Sequence, residues 1–260
     1  MKSYLNKKYD IFKNIINIFL EFIYPENITC IICNKPINKE NTYSMCKNCF
    51  KELHFIKDGC IKCGKPIINH SLEKIDITGC SYCFSKNFYF DKSISCIEYT
   101  DFSKKIVFGL KYSNKTYMSK YIANIMKEKL DIESIKFDYI LFVPLHKKRL
   151  RKRGFNQSQK IAKYLGKVIE IPVVDVIGRK KNTKRLYNLS KAERKKELKN
   201  VFIIKDTKQN LKNKNILLID DIFTTGTTVN EISKILKLNG VNKVYVMSFL
   251  TKNNDCYVLE

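Results

Sequence analysis

Residues 215–228 have the sequence NILLIDDIFTTGTT, in which a short apolar run ends in two adjacent aspartates and a loop of threonines with one glycine. The run NILLI, residues 215–219, predicts a strand buried on both faces, and residues 228–238 have the spacing of a helix. Amides of such a loop, its hydroxyls and the dipole of the following helix attract a phosphate. The carboxylates of Asp220 and Asp221 can accept hydrogen bonds from vicinal hydroxyls or meet Mg²⁺ through water. The segment therefore predicts a sugar-phosphate site; an acidic turn followed by a helix cap is the structural alternative.

The residues before and after this segment alternate between strand-like and helix-like stretches. Such alternation predicts an α/β fold with a mostly parallel sheet, helices on both faces and ligands at the carboxyl ends of the strands. Further strands are predicted at 93–99, 139–144, 173–177 and 244–250, and helices over 102–130, with an interruption near Ser113, and over 156–166.

Eight of the ten cysteines form four C-x-x-C pairs, separated by 12, 10 and 16 residues. A two-residue gap lets both thiolates face one ion, and two pairs complete a tetrahedral site, so two structural Zn²⁺ ions are predicted. A disulfide framework would need an oxidising compartment, and a thioredoxin-like motif would be a single pair. Spacing leaves open whether the pairs are used consecutively or cross-braced. The predicted ligands are Cys30, Cys33, Cys46, Cys49, Cys60, Cys63, Cys80 and Cys83; Cys96 and Cys256 are predicted to be small core residues.

The chain of 260 residues carries a formal net charge of +24, which favours a polyanionic partner. Only six of its 49 basic residues are arginines, and the abundance of Lys, Asn and Ile is typical of an AT-rich genome. Charge alone is therefore weak evidence. The cluster of basic residues at 147–153 is more informative, although a solvated basic face is the alternative there.

Residues 1–24 contain apolar side chains at helical spacing, which predicts an amphipathic helix. We expect the helix to dock on the next domain; a membrane-surface helix is the alternative. No apolar run is long enough to span a membrane, and no signal-peptide cleavage site follows, so a cytoplasmic protein is expected, with peripheral attachment to the inner membrane as a variant. The predicted domains are this helix, a double zinc ribbon over 25–90 and an α/β domain over 91–260.

The loop after NILLI resembles the phosphoribosyl-pyrophosphate (PRPP) signature of type I phosphoribosyltransferases, and most of the chain resembles the ComF family, which is associated with DNA uptake in competent bacteria. The cysteine pairs contribute to this resemblance, and the most specific string is RGFNQ, residues 153–157. The other matching positions are LKY at 110–112, VPL at 143–145, and Arg179, Thr183, Leu189 and Arg194, which have the spacing of that family's flexible loop.

The resemblance implies a type I phosphoribosyltransferase-like fold that binds Mg²⁺ and PRPP. Asp220 and Asp221 would hold the ribose hydroxyls, and they are the implied catalytic residues. Arg153 and Arg179 would bind pyrophosphate from mobile segments. The 5′-phosphate would be bound by Thr224, Thr225, Gly226, Thr227 and Thr228, and the pyrophosphate would face Leu145, His146 and Lys147.

Three positions depart from related patterns. Leu186 and Glu197 stand where the family often has Gln and Asn, which weakens any assignment of contacts to the flexible loop. Thr224 stands where 6-oxopurine transferases carry Asp, and this argues against hypoxanthine or guanine as the acceptor.

Two functions follow from the resemblance. One is phosphoribosyl transfer from PRPP to an acceptor that the sequence does not identify, within DNA uptake and natural transformation. The other is a non-catalytic module that senses PRPP or a nucleotide, or binds single-stranded DNA beside other DNA-uptake proteins. Aromatic residues near basic ones offer stacking platforms for the second function, although we expect most of them in the core; they are Phe84, Phe88, Tyr89, Phe90, Phe102, Phe108 and Tyr112.

Overall fold

The computed structural model describes residues 28–38, 40–67, 80–84, 86–113, 115–181, 193, 197–198, 200–205 and 209–252. The predicted helix over 1–24, Cys256 and the loop residues Thr183, Leu186, Leu189 and Arg194 lie outside these ranges. The chain divides into two compact units, one ending at Glu52 and the other beginning at Leu53. In the ranges that the structure covers, no helix has the length and apolar character needed to cross a membrane. The domain boundaries at 24 and 90 stay predictions.

The described part of the unit that ends at Glu52 contains a 3-10 helix (Thr42–Ser44) and one short α-helix, α1 (Lys47–Lys51). The unit that begins at Leu53 alternates strands and helices. In chain order its elements are β1 (Lys92–Glu98), α2 (Lys104–Tyr112), α3 (Met118–Glu133), β2 (Tyr139–Phe142), α4 (Lys147–Arg153), α5 (Gln157–Val168), β3 (Ile177–Arg179), β4 (Phe202–Ile204), β5 (Asn215–Phe223), α6 (Thr227–Leu238) and β6 (Lys243–Thr251).

Four of the strands form one parallel sheet in the order β1-β6-β5-β2. Within it, β5 lies between β6 and β2, and Ile219 pairs with Met247 on one side and with Phe142 on the other. The carboxyl ends of β2 and β5 therefore lie side by side. This confirms the predicted parallel α/β sheet, with the acidic residues at its carboxyl edge.

Helices cover both faces of the sheet. Leu141 and Leu218 share a buried cluster with Ile232 of α6. On the other side, α5 approaches so closely that a β-carbon on Gly166 would lie 3.5 Å from the side chain of Ile140. Since Ile140 and Leu141 are consecutive strand residues, they point to opposite faces, and so α5 and α6 lie on opposite faces of the sheet.

The predicted strand over 173–177 is wrong. Val173 forms only an isolated bridge with Ile140, and the strand β3 begins at Ile177. It pairs antiparallel with β4 in a separate two-stranded sheet. The preceding Pro172 has no N–H to donate to a ladder, and the chain leaves the edge of the main sheet after a single bridge.

Two further differences concern the site. The strand predicted over 215–219 continues to Phe223, so both aspartates are strand residues. The basic cluster at 147–153, for which no secondary structure was predicted, forms the helix α4, in which no residue is buried. This helix presents its charges at the carboxyl edge of the sheet, directly after β2.

The RGFNQ string is the junction between α4 and α5. Gly154 ends α4 with a left-handed backbone, φ 83°, which glycine adopts without strain. Asn156 is the amino-terminal cap of α5, and its Oδ1 accepts hydrogen bonds from the amides of Ser158 and Gln159. The Nδ2 of Asn156 donates to the carbonyl of Val143 at 3.0 Å, just beyond β2. One buried side chain thus fixes the start of α5 against the end of a central strand.

We expect Asn156→Ala to lower the free energy of unfolding by about 1–3 kcal/mol, because it removes a helix cap and a hydrogen bond to a buried carbonyl. Urea unfolding of the variant measures this change. The control is Asn239→Ala, which removes an exposed side chain that donates to the Ile235 carbonyl at the end of α6. An Asn156→Ala variant as stable as this control would contradict the assignment.

Candidate functional site

The two aspartates at the end of β5 make different contacts. Asp220 Oδ1 accepts hydrogen bonds from the Asp221 amide at 2.9 Å and from the hydroxyl of Ser158, at the start of α5, at 3.4 Å. Asp221 is buried and forms a salt bridge with Lys111 of α2, whose side chain is also largely buried. The two carboxylates are therefore held by two different helices.

Electrostatics distinguish Asp220 among the carboxylates. Burial raises the pKa of Asp220 well above its usual range, and the neighbouring charge of Asp221 raises it further. The Asp221 amide and the Lys111 charge lower the same pKa, but they do not reverse the shift. The raised pKa means that the ionised form of Asp220 is destabilised. A cation or a sugar hydroxyl bound there would stabilise that form.

Residues 224–226 connect β5 to α6, and with the first two residues of α6 they form the TTGTT loop, residues 224–228. Gly226 has a left-handed backbone, φ 73°, and precedes the first residue of α6. A β-carbon at this position would lie 2.7 Å from the ring of Phe223, so glycine is needed for space as well as for conformation. The hydroxyls of Thr225 and Thr227 are 2.7 Å apart. Because the first amides of a helix have no acceptor within it, this loop can bind a phosphate with amides and hydroxyls together.

Arg179, on β3, interacts electrostatically with Asp220. Burial and the charge of Arg149 lower the pKa of Arg179 to about 10, while the charges of Asp220 and Glu197 raise it. Its guanidinium carbon lies 5.5 Å from the ring centre of Phe202. The hairpin of β3 and β4 thus brings a buried cation within electrostatic reach of the end of β5.

The other predicted ligands of pyrophosphate follow β2. Leu145 and His146 are half-buried, and the side chain of His146 caps α4 by accepting a hydrogen bond from the Lys148 amide at 3.2 Å. Lys147 is exposed at the first position of α4. Arg153 donates to Gln157 Oε1 at 2.5 Å and lies 5.2 Å from the Tyr112 ring.

The eight paired cysteines lie in two groups, in chain order. The first cysteine cluster is Cys30, Cys33, Cys46 and Cys49; the second cysteine cluster is Cys60, Cys63, Cys80 and Cys83. Within each cluster all four sulfurs lie within 4.8 Å of one another. The pairs are therefore consecutive rather than cross-braced.

The sulfur spacing fits a tetrahedral zinc ion. In the second cysteine cluster, Cys60–Cys83 and Cys63–Cys80 are 3.6 Å apart and Cys80–Cys83 are 3.8 Å apart. A zinc–sulfur bond of about 2.3 Å gives a tetrahedron with edges of about 3.8 Å, whereas a disulfide needs about 2.0 Å. Both clusters are thus consistent with structural zinc ions. Cys96, in contrast, is a core residue as predicted, and burial raises the pKa of its thiol to about 12.

Two site residues were missed by reasoning from sequence patterns. Lys111 was noted only within the LKY string, and its salt bridge to Asp221 gives that string a physical role. Ser158 follows RGFNQ directly and contacts Asp220. Helical spacing could have placed both near helix ends, but only the tertiary fold shows that each helix end meets the acidic pair.

We expect Lys111→Met to lower the free energy of unfolding by about 3–5 kcal/mol, because it leaves the buried Asp221 carboxylate without its cation. The control is Lys127→Met, which breaks the exposed pair with Asp131 and should cost about 0.5 kcal/mol or less. Thermal or urea unfolding of both variants measures the difference. Equal effects in the two variants would show that the Lys111 pair is no stronger than a surface pair.

Comparison with known proteins agrees with this architecture. A double zinc ribbon domain model matches residues 19–85, and a phosphoribosyl transferase domain model matches residues 150–258. The second match contains β5, the acidic pair, the TTGTT loop and Arg179.

Three curated relatives align with most of the chain. Competence protein F of Haemophilus influenzae is 27% identical over 230 residues, covering 85% of this chain and 89% of the relative. DNA utilization protein YhgH of Salmonella typhimurium is 28% identical over 226 residues, covering 84% and 94%. YhgH of Escherichia coli K12 is 26% identical over 225 residues, with the same coverage of 84% and 94%. The resemblance to the ComF family is thereby confirmed: over most of its length the chain is similar to competence protein F, and a match to a double zinc ribbon domain is followed by a match to a phosphoribosyl transferase domain.

Proposed function

We propose that this chain binds PRPP with Mg²⁺ at the acidic pair and the TTGTT loop. One observation carries the proposal. At the carboxyl end of a central parallel strand, two carboxylates are followed along the chain by the left-handed Gly226 and then by the start of a helix. Carboxylates and a phosphate cradle in succession suit a phosphorylated ribose, because the hydroxyls donate to the acids and the phosphate accepts from the amides.

In this proposal each group has a distinct task. Asp220 and Asp221 accept hydrogen bonds from the ribose hydroxyls, and residues 224–228 bind the 5′-phosphate. The pyrophosphate is bound by Arg179 on β3 together with Arg153 and Lys147 of α4, the helix that follows β2. Mg²⁺, bound with the PRPP, would neutralise part of the pyrophosphate charge.

The same arrangement supports phosphoribosyl transfer. The bond from ribose C1 to the pyrophosphate oxygen breaks with its electron pair going to pyrophosphate, and a nucleophilic acceptor forms the new bond to C1 and loses its proton. The chain contributes positioning and stabilisation of the leaving group by its cations, so no covalent nucleophile is required.

The relatives named competence protein F and DNA utilization protein support a role of this chain in DNA uptake or use. A ribosyl-phosphate site and a net charge of +24 on one chain suit a protein that works on nucleic acid or its precursors. We propose that it acts in transformation-linked handling of DNA.

Calorimetry of Mg·PRPP binding tests the site. We expect micromolar binding by the wild type and a loss of about 100-fold or more in Asp220→Asn, since a carboxylate that accepts sugar hydroxyls contributes about 1.5–3 kcal/mol per hydrogen bond. Asp220→Asn is sharper than a double variant, because it leaves the salt bridge of Lys111 and Asp221 intact. Asp101→Asn, an exposed carboxylate paired with Lys104, is the control.

The pH dependence of the same binding gives a second readout. Because burial raises the pKa of Asp220, part of the free protein holds a proton there that a cation or sugar ligand displaces. The affinity should therefore increase as the pH rises towards that pKa and level off above it, and Asp220→Asn should lose this dependence. Absence of binding by folded, zinc-loaded wild type at any pH would refute the proposal.

Single-stranded DNA binding is the second candidate function, and an exposed aromatic and basic surface favours it. Tyr112 is 68% exposed and Phe108 is 39% exposed, and their rings contact edge-to-face. Arg153 lies over the Tyr112 ring, which joins these aromatics to the basic helix α4. Bases can stack on such rings while α4 neutralises phosphates. The expectation that most of the seven aromatic residues lie in the core is therefore wrong. Of these seven, Phe90 alone is fully buried, Phe88 and Phe102 are half-buried, and the exposed ones are Phe84, Tyr89, Phe108 and Tyr112.

We expect Tyr112→Ala to weaken binding of a thymidine oligonucleotide by about 1–3 kcal/mol, the usual contribution of one stacked base. Arg151→Gln should instead lower the slope of log affinity against log salt by about 0.7, because one phosphate contact is lost. Fluorescence anisotropy at several salt concentrations measures both effects. Tyr164→Ala, on α5, is the control, and equal losses in Tyr112→Ala and Tyr164→Ala would exclude stacking at this surface.

A further inference from the structure

The second cysteine cluster is built into the core of the α/β unit. All four of its cysteines belong to the same buried cluster as Phe90, Phe223 and Val229. We call the turn with Cys60 and Cys63 the first knuckle and the turn with Cys80 and Cys83 the second knuckle. The first knuckle packs directly on β1, where the Ser93 amide donates to the Lys62 carbonyl at 2.9 Å. A β-carbon on Gly64, φ 67°, would come within 2.4 Å of the Ser93 carbonyl oxygen. This knuckle therefore has little freedom to move independently of the sheet.

The second knuckle contacts the TTGTT loop. The hydroxyl of Tyr82, which lies between Cys80 and Cys83, donates to the Thr224 carbonyl at 3.4 Å. Beyond the knuckle, the amide of Tyr89 donates to Asn230 Oδ1, in the first turns of α6, at 2.7 Å. The first residue of the loop and the first turns of α6 that follow it are thus both hydrogen-bonded to the segment that contains or follows the cysteines.

An aromatic stack fills the space under the loop. Phe88 stacks on Phe90 with ring centres 4.5 Å apart, and Phe90 meets Phe223 edge-on at 6.2 Å. The added β-carbon at Gly226 would lie 3.3 Å from Phe88 as well as 2.7 Å from Phe223. The left-handed turn of the loop therefore rests on rings that pack with the second cysteine cluster.

A buried lysine completes the connection. Lys65, two residues after Cys63, is fully buried, and its Nζ lies 4.4 Å from the ring centre of Tyr82 and 5.9 Å from that of Phe223. The Nζ of Lys65 also donates a hydrogen bond to the carbonyl of Lys252. The amide of Lys252 in turn donates to the Phe223 carbonyl at 3.1 Å. Lys65 thus joins the first knuckle, Tyr82 and the ends of β5 and β6.

We propose that zinc at the second cysteine cluster and a sugar phosphate at the TTGTT loop stabilise each other, with Tyr82 and Lys65 as the positioning residues. The second cysteine cluster thus supports the loop that binds the ligand. The coupling to a sugar phosphate rests on the proposed function; the support of the loop by the cluster, the structural half of the proposal, does not. Because linkage is reciprocal, the ligand must raise the affinity of the second cysteine cluster for zinc by the same factor by which zinc raises the affinity for the ligand.

Hydrogen exchange of the full chain tests the structural half without any ligand. We expect Cys83→Ser, which removes a ligand of the second cysteine cluster, to speed exchange of the amides in residues 222–230 by tenfold or more. Cys49→Ser, which removes a ligand of the first cysteine cluster in the other compact unit, is the matched control and should leave these amides unchanged. Unchanged exchange at 222–230 in a folded Cys83→Ser protein would overturn the proposal.

Tyr82→Phe gives a variant that keeps all the cysteines, for the case that Cys83→Ser does not fold. Its affinity for ribose 5-phosphate, measured by calorimetry, should fall about three- to tenfold, with Tyr164→Phe as the control. Zinc release to a coloured chelator should slow in the wild type when ribose 5-phosphate is saturating, for one of the two ions, and this protection should shrink in Tyr82→Phe.

The outcomes separate the two proposals. A wild type that does not bind ribose 5-phosphate or Mg·PRPP refutes the proposed function, and the exchange experiment still decides whether the cluster supports the loop. A wild type that binds ligand but releases both zinc ions at unchanged rates, with Tyr82→Phe binding normally, overturns the inference and leaves the proposed function intact.

Discussion

The structure depends on two adjacent carboxylates at the buried end of a central strand. Two negative charges in this position repel each other and lose hydration, which is why the pKa of Asp220 is raised. Asp221 forms a salt bridge with Lys111, whereas Asp220 accepts hydrogen bonds from two uncharged groups, the Asp221 amide and the Ser158 hydroxyl. The unequal treatment leaves Asp220 as the group whose charge a bound cation or hydroxyl stabilises most. A ligand that supplies a cation or hydroxyl to Asp220 would therefore stabilise the folded protein.

The same constraint explains why separate segments converge on one edge of the sheet. The LKY segment ends α2 and supplies the cation for Asp221, and the RGFNQ segment fixes the start of α5, from which Ser158 reaches Asp220. Asn156 adds a direct hydrogen bond to the strand end beside β5. In this chain each of these strings contributes a contact that holds the two acids or the neighbouring strand end at the carboxyl edge.

The parallel sheet and the loop after β5 could be predicted because their signals are local: an unbroken apolar run, paired acids and a threonine–glycine turn. Lys111 could not be singled out, since lysines are abundant along this chain and only packing selects one as partner of Asp221. The run at 173–177 has strand-like composition, yet its neighbours in space decide that only Val173 bridges to β2. For the cysteines, spacing predicted the ligands but left their grouping open, because grouping depends on the folded path between the pairs.

The position of the second cysteine cluster indicates that it does more than stabilise its own segment. A metal site that only replaced a missing core would be expected to keep its contacts within its own segment. This cluster instead shares its buried surface with Phe223 and Val229, on either side of the TTGTT loop, and Tyr82 reaches the loop itself. A loop with a left-handed glycine at a helix start can bind a phosphate only if its donors are held in position, which requires rigid support. The aromatic rings and the buried Lys65, which pack with the second cysteine cluster, lie where they can give that support. The second cysteine cluster is therefore part of the core of the α/β unit rather than a separate module.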